Sequence, residues 1–306
     1  MSNIAIVILN WNTTELTKTT IDSFLKINHS GFNYQIILVD NGSKIECIDE
    51  LEKTYVGNKL ITILKSTINQ GYAEGNNIGI RYALENKYDY IMIANSDIRV
   101  DKDFLNILFN QIKENPKLFL APKIYFESGY EFHKDKYSKS ELGNVLWAMG
   151  GVIDWNNIYG SNIGIDEVDN GQYDKDSLTP DFISGCCFLV KSEIFKKIGL
   201  FDKRYFLYME DVDLSFRAKN NGYKLKIIPN SKIWHINSGT AGAASNLQDY
   251  FISRNRILFT FKYASLRTKF AIFRESISHL IFGRPWQKIG IRDFYLSNFE
   301  KGSWGK

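Results

Sequence analysis

Short apolar runs alternate with helix-periodic segments through the first third of this 306-residue chain, and this alternation limits the fold more than any other feature. Each run of strand type is followed, with little between, by turn residues or by a segment of helical periodicity. Strand and helix in repeated succession predict a mostly parallel sheet covered by helices on both faces. The strand-type runs are Ile4–Asn10, Tyr34–Asp40, Leu60–Lys65 and Tyr90–Ala94, and the helical segments are Thr13–Leu25, Ala73–Glu85 and Asp101–Lys113.

Polar residues follow three of these apolar runs. Asn10-Trp11-Asn12 comes after the first, Asp40-Asn41-Gly42-Ser43 after the second and Asn95-Ser96-Asp97 after the fourth. Turns use Asn, Asp and Gly in any protein, so one such ending alone carries little information. Ligands of open α/β sheets bind at the carboxyl ends of the strands, so three polar endings together predict a site at this edge.

The second half of the chain is less regular. Residues 125–175 are rich in Gly, Asn, Asp and Tyr, which indicates an irregular insertion close to the site. We therefore predict an α/β domain that ends in a helical C-terminal extension. The further strands are Phe182–Val190, Tyr223–Ile228 and Lys232–His235, the further helices are Glu193–Ile198, Glu210–Asn220, Leu247–Tyr263 and Thr268–Phe282, and Asn237–Asn246 is a loop.

Charge is distributed unevenly along the sequence. Residues 250–306 contain 11 Lys/Arg and 3 Asp/Glu, whereas the whole chain has a net charge of only +4. Such asymmetry indicates either contact with a polyanion or membrane, or a solvated basic face on a helical tail. The aromatic and basic residues of this tail could rest on an anionic membrane, or pack onto the catalytic domain or a second subunit of a homodimer. They are Phe270, Phe273, Arg274, Phe282, Arg284 and Trp286.

The compartment follows from what the chain lacks. Its first residues have no basic segment and no cleavage-site pattern of a signal peptide. No apolar stretch approaches the roughly 20 residues of a membrane span. The three cysteines, Cys47, Cys186 and Cys187, do not form a disulfide pattern and fit reduced thiols. We expect a cytoplasmic protein, at most peripheral at the inner face of the cell membrane, with no nucleic-acid partner.

Asp97 and His235 are candidate metal ligands. Each follows a predicted strand, and His235 precedes the predicted loop. Enzymes that cleave a sugar–phosphate bond must stabilise a leaving diphosphate, which a divalent cation does directly. Mg²⁺ or Mn²⁺ takes oxygen ligands, and Mn²⁺ also accepts imidazole. Taken singly, Asp97 could instead be a turn or helix-cap residue, and His235 a neutral packed histidine.

A cluster of carboxylates opens the predicted helix Glu210–Asn220. Glu210, Asp211 and Asp213 fall within four residues, where they also suit the positive end of the helix dipole. A carboxylate has a reference pKa of ~4 and is ionised at neutral pH. It can therefore act as the general base that deprotonates an attacking hydroxyl. Glu210 and Asp211 point in different directions on a helix, so only one of them can face the substrate.

A Gly- and Asn-rich stretch, Asn69–Asn77, leads into the predicted helix Ala73–Glu85. Free N–H groups at a helix N-terminus bind phosphate. The same composition also suits a plain loop and helix cap.

Six motifs taken in order resemble glycosyltransferase family 2, and most closely its bacterial rhamnosyltransferase-like branch. The resemblance runs from about residue 3 to about residue 263 and is weaker in the C-terminal tail. The motifs are Val7-Ile8-Leu9-Asn10-Trp11-Asn12, Val39-Asp40-Asn41-Gly42-Ser43, Asn69-Gln70-Gly71-Tyr72-Ala73-Glu74-Gly75-Asn76-Asn77, Asn95-Ser96-Asp97, Ser184-Gly185-Cys186-Cys187 and Phe206-Leu207-Tyr208-Met209-Glu210-Asp211-Val212-Asp213-Leu214.

The resemblance implies a GT-A fold, an inverting mechanism and a role for each matched residue. Asp211 would be the catalytic base, with Glu210 beside it in the acceptor site. Asp97 would bind Mg²⁺ or Mn²⁺, with His235 as a second ligand. The donor-binding residues would be Asp40 at the pyrimidine base, Asn10 and Asn12 in the nucleotide pocket, Asn76 and Asn77 near the ribose or phosphates, Asn95 and Asp97 at the metal motif, and Arg254 at the diphosphate.

One departure affects the metal motif. Many family members have Asp-x-Asp there, whereas this chain has Asn95 at the first position and so a single carboxylate. Metal affinity, and metal dependence itself, are open at this point.

The resemblance also divides the chain and suggests substrates. Residues 1–246 would form the catalytic domain, with a nucleotide-sugar half (1–124) and an acceptor half (125–246), and residues 247–306 the basic helical extension. The branch implies dTDP-L-rhamnose as donor, while UDP-sugars, with galactofuranosyl or hexosyl transfer, stay open. The acceptor would be a polysaccharide precursor or a polyprenyl-linked glycan.

Two other functional classes are alternatives to the transferase. A nucleotidyltransferase usually has a Gly-rich, basic phosphate loop after its first strand, and Asn10-Trp11-Asn12-Thr13 is not one. A non-catalytic nucleotide-sugar or glycan-binding module could have lost Asp97, Asp211 and His235, and this chain retains all three.

Overall fold

The structure is a computed structural model that describes residues 1–174, 178–236 and 245–305. Its centre is a mixed sheet in which nine strands can be traced among these residues, in the order β3-β2-β1-β4-β10-β6-β11-β5, with β7 beside β6. The bounds are β1 Ser2–Asn10, β2 Phe32–Asn41, β3 Ile61–Ser66, β4 Tyr90–Asn95, β5 Ile98–Val100, β6 Leu118–Phe126, β7 Leu146–Ala148, β10 Cys187–Lys191 and β11 Lys224–His235. A separate hairpin joins β8, Gly151–Asp154, to β9, Tyr159–Asn162.

Helices cover the sheet and form the C-terminal extension. The first five are α1 Thr14–Phe24, α2 Ile45–Tyr55, α3 Gly71–Glu85, α4 Phe104–Glu114 and α5 Glu193–Ile198. The others are α6 Glu210–Asn220, α7 Asn246–Tyr263, α8 Leu266–Phe282 and α9 Pro285–Tyr295. In the part of the chain that the structure describes, no helix is both long enough and apolar enough to cross a bilayer.

The central strands are buried on both faces, which explains their unbroken apolar sequence. In β1, Ile4, Ile6 and Ile8 join one hydrophobic cluster, and Ala5 and Val7 join another on the opposite face. β1 lies parallel to β2 and β4, as the alternation of strands and helices predicts. β10 is antiparallel to both β4 and β6, and this pairing makes the sheet mixed.

Several predicted elements differ from those observed. The structure joins the predicted strands Tyr223–Ile228 and Lys232–His235 into one strand, β11. Its register with β6 shifts between Ile228 and Lys232. Pro229 lies at this shift, and proline within a sheet is tolerated at such irregularities. The predicted strand Phe182–Val190 begins only at Cys187, and α2, β6 and α9 were not predicted. The predicted loop Asn237–Asn246 lies mostly outside the described residues.

The C-terminal helices share a core with the rest of the chain. Ile257 and Phe259 of α7 belong to one buried cluster with Tyr205, with Val212 of α6 and with Phe182. At the other end of α7, the Tyr250 hydroxyl donates a 2.6 Å hydrogen bond to Asp293 of α9. The segment predicted as an extension, 247–306, is therefore continuous in packing with the segment that carries Asp211.

Candidate active site

The carboxyl edge of the sheet brings the three predicted polar endings together. Asn10 pairs with Asp40 across β1 and β2, and Leu9 pairs with Asn95 across β1 and β4. The ends of β1, β2 and β4 therefore lie side by side, as expected for parallel strands that end in a binding site.

Asn10 lies beneath Asp40 and orients it. Its Nδ2 donates to Asp40 Oδ1 at 2.9 Å and to Ser43 Oγ at 3.1 Å. Its Oδ1 accepts from Thr17 Oγ1 at 2.9 Å, and the side chain has no exposed surface. Both ends of the amide are thus engaged within the protein, so in this structure Asn10 supports the predicted base-binding carboxylate and has no free group to offer a ligand.

Asn12 lies in the turn that follows. It adopts the left-handed region, with φ of +54°, which asparagine tolerates better than most residues. Its Oδ1 accepts from the backbone N–H of Lys44 at 2.8 Å, which ties the β1 and β2 endings together. Trp11, between the two asparagines, has half of its surface exposed at this edge. No role for Trp11 was predicted.

The two asparagines of α3 differ in what their side chains contact. Asn77 donates to the Phe201 carbonyl at 2.9 Å and accepts from the Phe201 N–H at 3.0 Å. Both ends of the Asn77 amide are thus engaged with the loop at Phe201, and its predicted place near the donor ribose or phosphates stays a prediction. Asn76 donates to the Tyr72 carbonyl at 2.9 Å, and its buried Oδ1 has no hydrogen-bond partner among the described residues.

Glycines let α3 lie against β1. A Cβ on Gly75 would come within 2.6 Å of Leu9 Cδ1, and one on Gly79 within 2.4 Å of Val7 Cγ1. The Gly-rich motif therefore provides close helix–strand packing, which holds the start of α3 beside Asn41 and Asp40. Asn41 confirms this proximity, since its Nδ2 donates to the Gly71 carbonyl at 3.1 Å.

Asp97 and His235 meet at the other side of this edge. β5 and β11 pair antiparallel, with His235 opposite Ile98, and the Ile236 N–H donates to the Asp97 carbonyl at 2.7 Å. His235 Nε2 lies 3.2 Å from Asp97 Oδ1. The imidazole is buried and packs edge-on against Trp147, with ring centroids 4.6 Å apart.

The donor atoms of this pair fit a bound cation. Neither ring nitrogen of His235 makes an aligned hydrogen bond within the described residues, although both are buried. Buried polar atoms are normally paired, so the unpaired Nε2 beside the Asp97 carboxylate suits a ligand that faces the same ion as Asp97. Across the described ranges no group of three or more His, Cys, Asp or Glu side chains could hold a metal. The protein would thus supply two ligands and leave other coordination positions to a diphosphate and water.

Asn95 stands next to this pair. Its backbone N–H donates to the Cys186 carbonyl at 2.8 Å, and its buried side-chain Oδ1 has no partner among the residues described. Its position is the one where many family members have a second carboxylate. An amide here gives the site one negative charge fewer and still presents an oxygen.

The carboxylates at the start of α6 have three different environments. Asp213 is fully buried, where it accepts from Arg217 Nε at 2.7 Å and from the Tyr263 hydroxyl at 2.8 Å and forms an ion pair with Lys262. It is therefore structural. Asp211 is half-buried, and Glu210 is buried with one unpaired oxygen, Oε2.

The pKa values of Glu210 and Asp211 are both raised by burial. For Glu210 the pKa lies well above its usual range, because the nearby Asp211 charge adds to the effect of burial. The rise in the pKa of Asp211 is opposed by two N–H groups: Gly185 donates to Oδ2 at 2.9 Å and Val212 donates to Oδ1 at 2.8 Å. These two N–H bonds favour the charged form of Asp211, which is the form that a general base needs.

The backbone of Gly185 and Cys186 links the metal pair to the carboxylates. Gly185 donates to Asp211, and Cys186 accepts from Asn95, which is two residues from Asp97. The Gly185 carbonyl also accepts from the Tyr72 hydroxyl at 2.7 Å. A Cβ on Gly185 would lie 2.8 Å from that hydroxyl oxygen, so the close contact requires glycine. The sequence motif was recognised, but backbone roles such as these leave no signal in residue type.

The turn before α6 has an unusual backbone. Phe206, Tyr208 and Met209 all have positive φ, between 63° and 71°. Residues other than glycine rarely adopt this backbone region. Asn255 of α7 holds this turn, since its Nδ2 donates to the carbonyls of Tyr205, Leu207 and Tyr208 at 2.8 Å each. A strained backbone of this kind persists only when contacts with the surrounding structure hold it in place.

Arg254 supports the same turn and does not contact the site. It is fully buried, and its guanidinium donates to the carbonyls of Arg204, Tyr205 and Glu300 at 2.7 to 3.0 Å. In this structure backbone carbonyls occupy the guanidinium, and the contact of Arg254 with the diphosphate stays a prediction. That prediction came from the family resemblance, whereas the contacts that α7 makes with distant segments become visible only in the fold.

Curated relatives of the chain include three that act in glycan assembly. The low-salt glycan biosynthesis hexosyltransferase Agl10 of Haloferax volcanii is 20% identical over 92% of this chain and 80% of its own length. The N-acetylglucosaminyl-diphospho-decaprenol L-rhamnosyltransferase of Mycobacterium tuberculosis is 24% identical over 68% of each chain. The dTDP-rhamnosyl transferase RfbF of Shigella flexneri is 27% identical over 76% of this chain and 69% of its own.

A solved structure shows the same fold. GalNAc-T7 with UDP, GalNAc and Mn²⁺ superposes with a TM-score of 0.68 at 16% identity, covering 96% of this chain and 54% of that one. The likeness confirms the predicted GT-A fold, a curled mixed sheet flanked by helices. The family model for glycosyl transferase family 2 matches residues 5–199, which is more than half of the chain. This match shows that the chain belongs to glycosyltransferase family 2, a family of inverting glycosyltransferases.

Proposed function

We propose that this chain transfers L-rhamnose from dTDP-L-rhamnose to a hydroxyl of a cell-surface polysaccharide precursor, such as a polyprenyl-linked glycan, at the cytoplasmic face. Two of its relatives carry rhamnosyl transfer in their names, one with a dTDP donor and one with a diphospho-decaprenol acceptor. The motifs shared with the rhamnosyltransferase-like branch support the same donor.

One observation carries the catalytic part of this proposal. The short backbone segment Gly185–Cys186 contacts Asp211 directly and also contacts Asn95, two residues before Asp97. A base and a cation site linked through one segment in this way suit in-line displacement, in which the acceptor hydroxyl attacks the anomeric carbon as the diphosphate leaves.

The residues have separate roles in this proposal. Asp211 accepts the proton of the attacking hydroxyl, and the N–H groups of Gly185 and Val212 keep its carboxylate in place. Burial raises the pKa of Glu210 and so favours its protonated form, which can donate a hydrogen bond to an acceptor oxygen. Asp97 and His235 would hold Mg²⁺ or Mn²⁺, which when bound neutralises the charge of the leaving diphosphate.

Asp40 is the donor-side counterpart of these residues. It is oriented by Asn10 and by the Ser43 N–H, which donates to its Oδ2 at 3.1 Å. A carboxylate fixed at the end of β2 can accept a hydrogen bond from the imide N–H of thymine or uracil. Cytosine has an unprotonated N3 at this position, and the carboxylate would repel its lone pair, so Asp40 favours dTDP or UDP over CDP.

A UDP-sugar is the competing donor. Thymine and uracil present the same imide group to Asp40, and the fold neighbour GalNAc-T7 was solved with UDP. Galactofuranosyl or hexosyl transfer from UDP is therefore the second candidate function.

Nucleotide-dependent thermal stabilisation tests the proposal. A ligand that binds only the folded state raises its apparent stability. We expect a rise in Tm with dTDP and Mn²⁺ that a chelator abolishes, a smaller rise with UDP, and none with CDP, GDP or ADP. Release of dTDP from dTDP-L-rhamnose in the presence of acceptor then separates an enzyme from a binding module. A larger rise with UDP would favour the second candidate, and no rise with any nucleotide would contradict both.

A further inference from the structure

The outer face of α8 carries an apolar stripe with no cover. Its members recur at helical spacing and point in one direction, and each is exposed by 40% to 84%. No part of the chain within the described ranges lies over them. The stripe, called here the α8 stripe, consists of Leu266, Phe270, Phe273, Ile277 and Ile281. It is about 23 Å long at 1.5 Å per residue.

The stripe continues beyond α8 at two points. Phe282, which ends the helix, is 82% exposed. Tyr295 of α9 meets Phe273 edge-on, with ring centroids 6.3 Å apart, and the neighbouring Leu296 is 69% exposed. The opposite side of α8 is occupied by contacts with α7 and α9, where Ile272 and Ser276 are buried. One side of α8 thus packs against α7 and α9, and the other side is exposed to solvent.

Cations flank the α8 stripe, and anions do not. Arg267 and Arg274 lie on one side of it and Lys269 on the other, by their positions around the helix. None of the three forms an ion pair with any residue the structure describes. The only acidic residue of α8, Glu275, lies on the packed side, where Arg256 binds both of its oxygens at 2.8 Å.

This pattern distinguishes between the possible occupants of the face. In a symmetric dimer the same patch occupies both sides of the interface, so Arg267, Lys269 and Arg274 would approach their own copies and repel. An anionic lipid surface instead offers phosphates to the flanking cations and acyl chains to the stripe. α8 is not apolar enough to cross a bilayer, so it would lie along the surface.

We propose that α8 docks this protein onto an anionic membrane, with the α8 stripe at the level of the acyl chains and Arg267, Lys269 and Arg274 at the phosphates. This inference concerns a surface apart from the catalytic residues, and it holds or fails independently of the donor sugar.

Vesicle co-sedimentation of the full chain tests the docking. The expected result is binding to vesicles of phosphatidylglycerol and phosphatidylcholine in equal parts, weakening as salt is raised, and much less binding to phosphatidylcholine alone. Replacing Arg267, Lys269 and Arg274 together by Gln should weaken binding by roughly 100-fold, since each cation near the surface contributes about a factor of five. The matched control replaces Lys53, Lys59 and Lys113, three exposed cations of the sheet domain, and should bind normally.

The apolar part of the proposal has its own variant. Phe270→Ser with Ile281→Ser should weaken vesicle binding at least 10-fold, whereas Val56→Ser with Leu60→Ser, at exposed positions elsewhere, should not. Transfer to a water-soluble acceptor should be the same in all four variants, which separates loss of docking from loss of catalysis.

Two results would overturn the proposal. One is equal sedimentation with anionic and neutral vesicles, or none with either. The other is a concentration-dependent dimer, seen by sedimentation velocity, that Phe270→Ser with Ile281→Ser dissociates while vesicle binding is unchanged. The second copy would then be the partner of this face.

Discussion

The donor side and the catalytic side of the site differ in how completely their buried polar groups are paired. On the donor side, the side chains of Asn10, Asp40 and Asn77 find their hydrogen-bond partners within the protein, while Asn76 keeps one buried oxygen without a partner among the described residues. At the ends of β4 and β11 and the start of α6, buried oxygens or nitrogens of Asn95, Glu210 and His235 have no partner among the described residues. Leaving a buried polar atom unpaired costs about 1–3 kcal/mol.

This difference distinguishes residues that support the shape of the site from residues that could bind or act on a ligand. A network that satisfies itself keeps a rigid shape with or without a ligand, which suits recognition of a planar base. Unpaired buried atoms are retained where a ligand completes them, and the catalytic side contains the residues for which a cation and an acceptor hydroxyl would do so. The predictions below test whether the two sides behave so differently.

The largest expected effect is on transfer itself. Asp211→Asn removes the proposed base and should lower the rate of sugar transfer by roughly 1,000-fold, within the range of general-base catalysis. Nucleotide binding should be unchanged, because Asp211 lies on the acceptor side. Product formation by chromatography and the nucleotide-induced shift in Tm measure the two. Asp135→Asn, on an exposed residue, is the control. Normal transfer by the Asp211 variant would show that another group is the base.

Loss of the cation site should affect the donor side of the reaction. Asp97→Ala leaves His235 as the only protein ligand and should weaken Mn²⁺-dependent nucleotide binding by roughly 100-fold, a typical loss when metal coordination is disrupted. Calorimetric titration with dTDP, with Mn²⁺ and with chelator, measures this. The chelated protein should bind dTDP equally with and without the substitution. Metal-independent affinity in the unsubstituted chain would remove the metal from the mechanism.

Asn255 of α7 should affect the rate of catalysis, because it holds the strained turn that precedes Asp211. Asn255→Ala removes three hydrogen bonds from the Tyr205–Tyr208 backbone, at roughly 1 kcal/mol each. We expect the free energy of unfolding to fall by about 2–4 kcal/mol. In addition, kcat should fall about 10-fold with little change in the donor KM, because the turn positions Asp211. Asn221→Ala, which loses one exposed bond to the Arg217 carbonyl, is the matched control. A loss of stability with unchanged kcat would limit Asn255 to a structural role.

The smallest expected effect is on stability against pH. Burial raises the pKa of Glu210 in the folded protein, so its protonated form is favoured by folding. That contribution is complete below the unfolded pKa of Glu210 and is lost as pH rises through the raised folded value. Glu210→Gln should therefore flatten the fall in unfolding free energy between the unfolded pKa of Glu210 and its raised folded value. Chemical denaturation from pH 5 to pH 9, with exposed Glu46→Gln as control, measures it. Parallel curves would show that the Glu210 pKa is not raised.

The contrast between the two sides also marks the limits of sequence reasoning. The donor-side motifs could be recognised because β1, β2 and β4 each end in a short polar motif. The pairing of Asp97 with His235 was predicted from chemistry, and the structure places them 3.2 Å apart. The contacts of Arg254 could not be predicted, because an arginine that binds phosphate and one that binds carbonyls look alike in a sequence.

The sequence by itself determined the α/β class, the family and the set of polar strand ends, because these depend on local periodicity and on motifs within a few residues. Tertiary structure decided which carboxylate is structural, which amides are already satisfied and which side of α8 is exposed. Asp213 and Asp211 are two residues apart, yet contacts with α7 neutralise the first and the Gly185 N–H orients the second. Such assignments depend on groups distant in the chain, so they become visible only when the chain is folded.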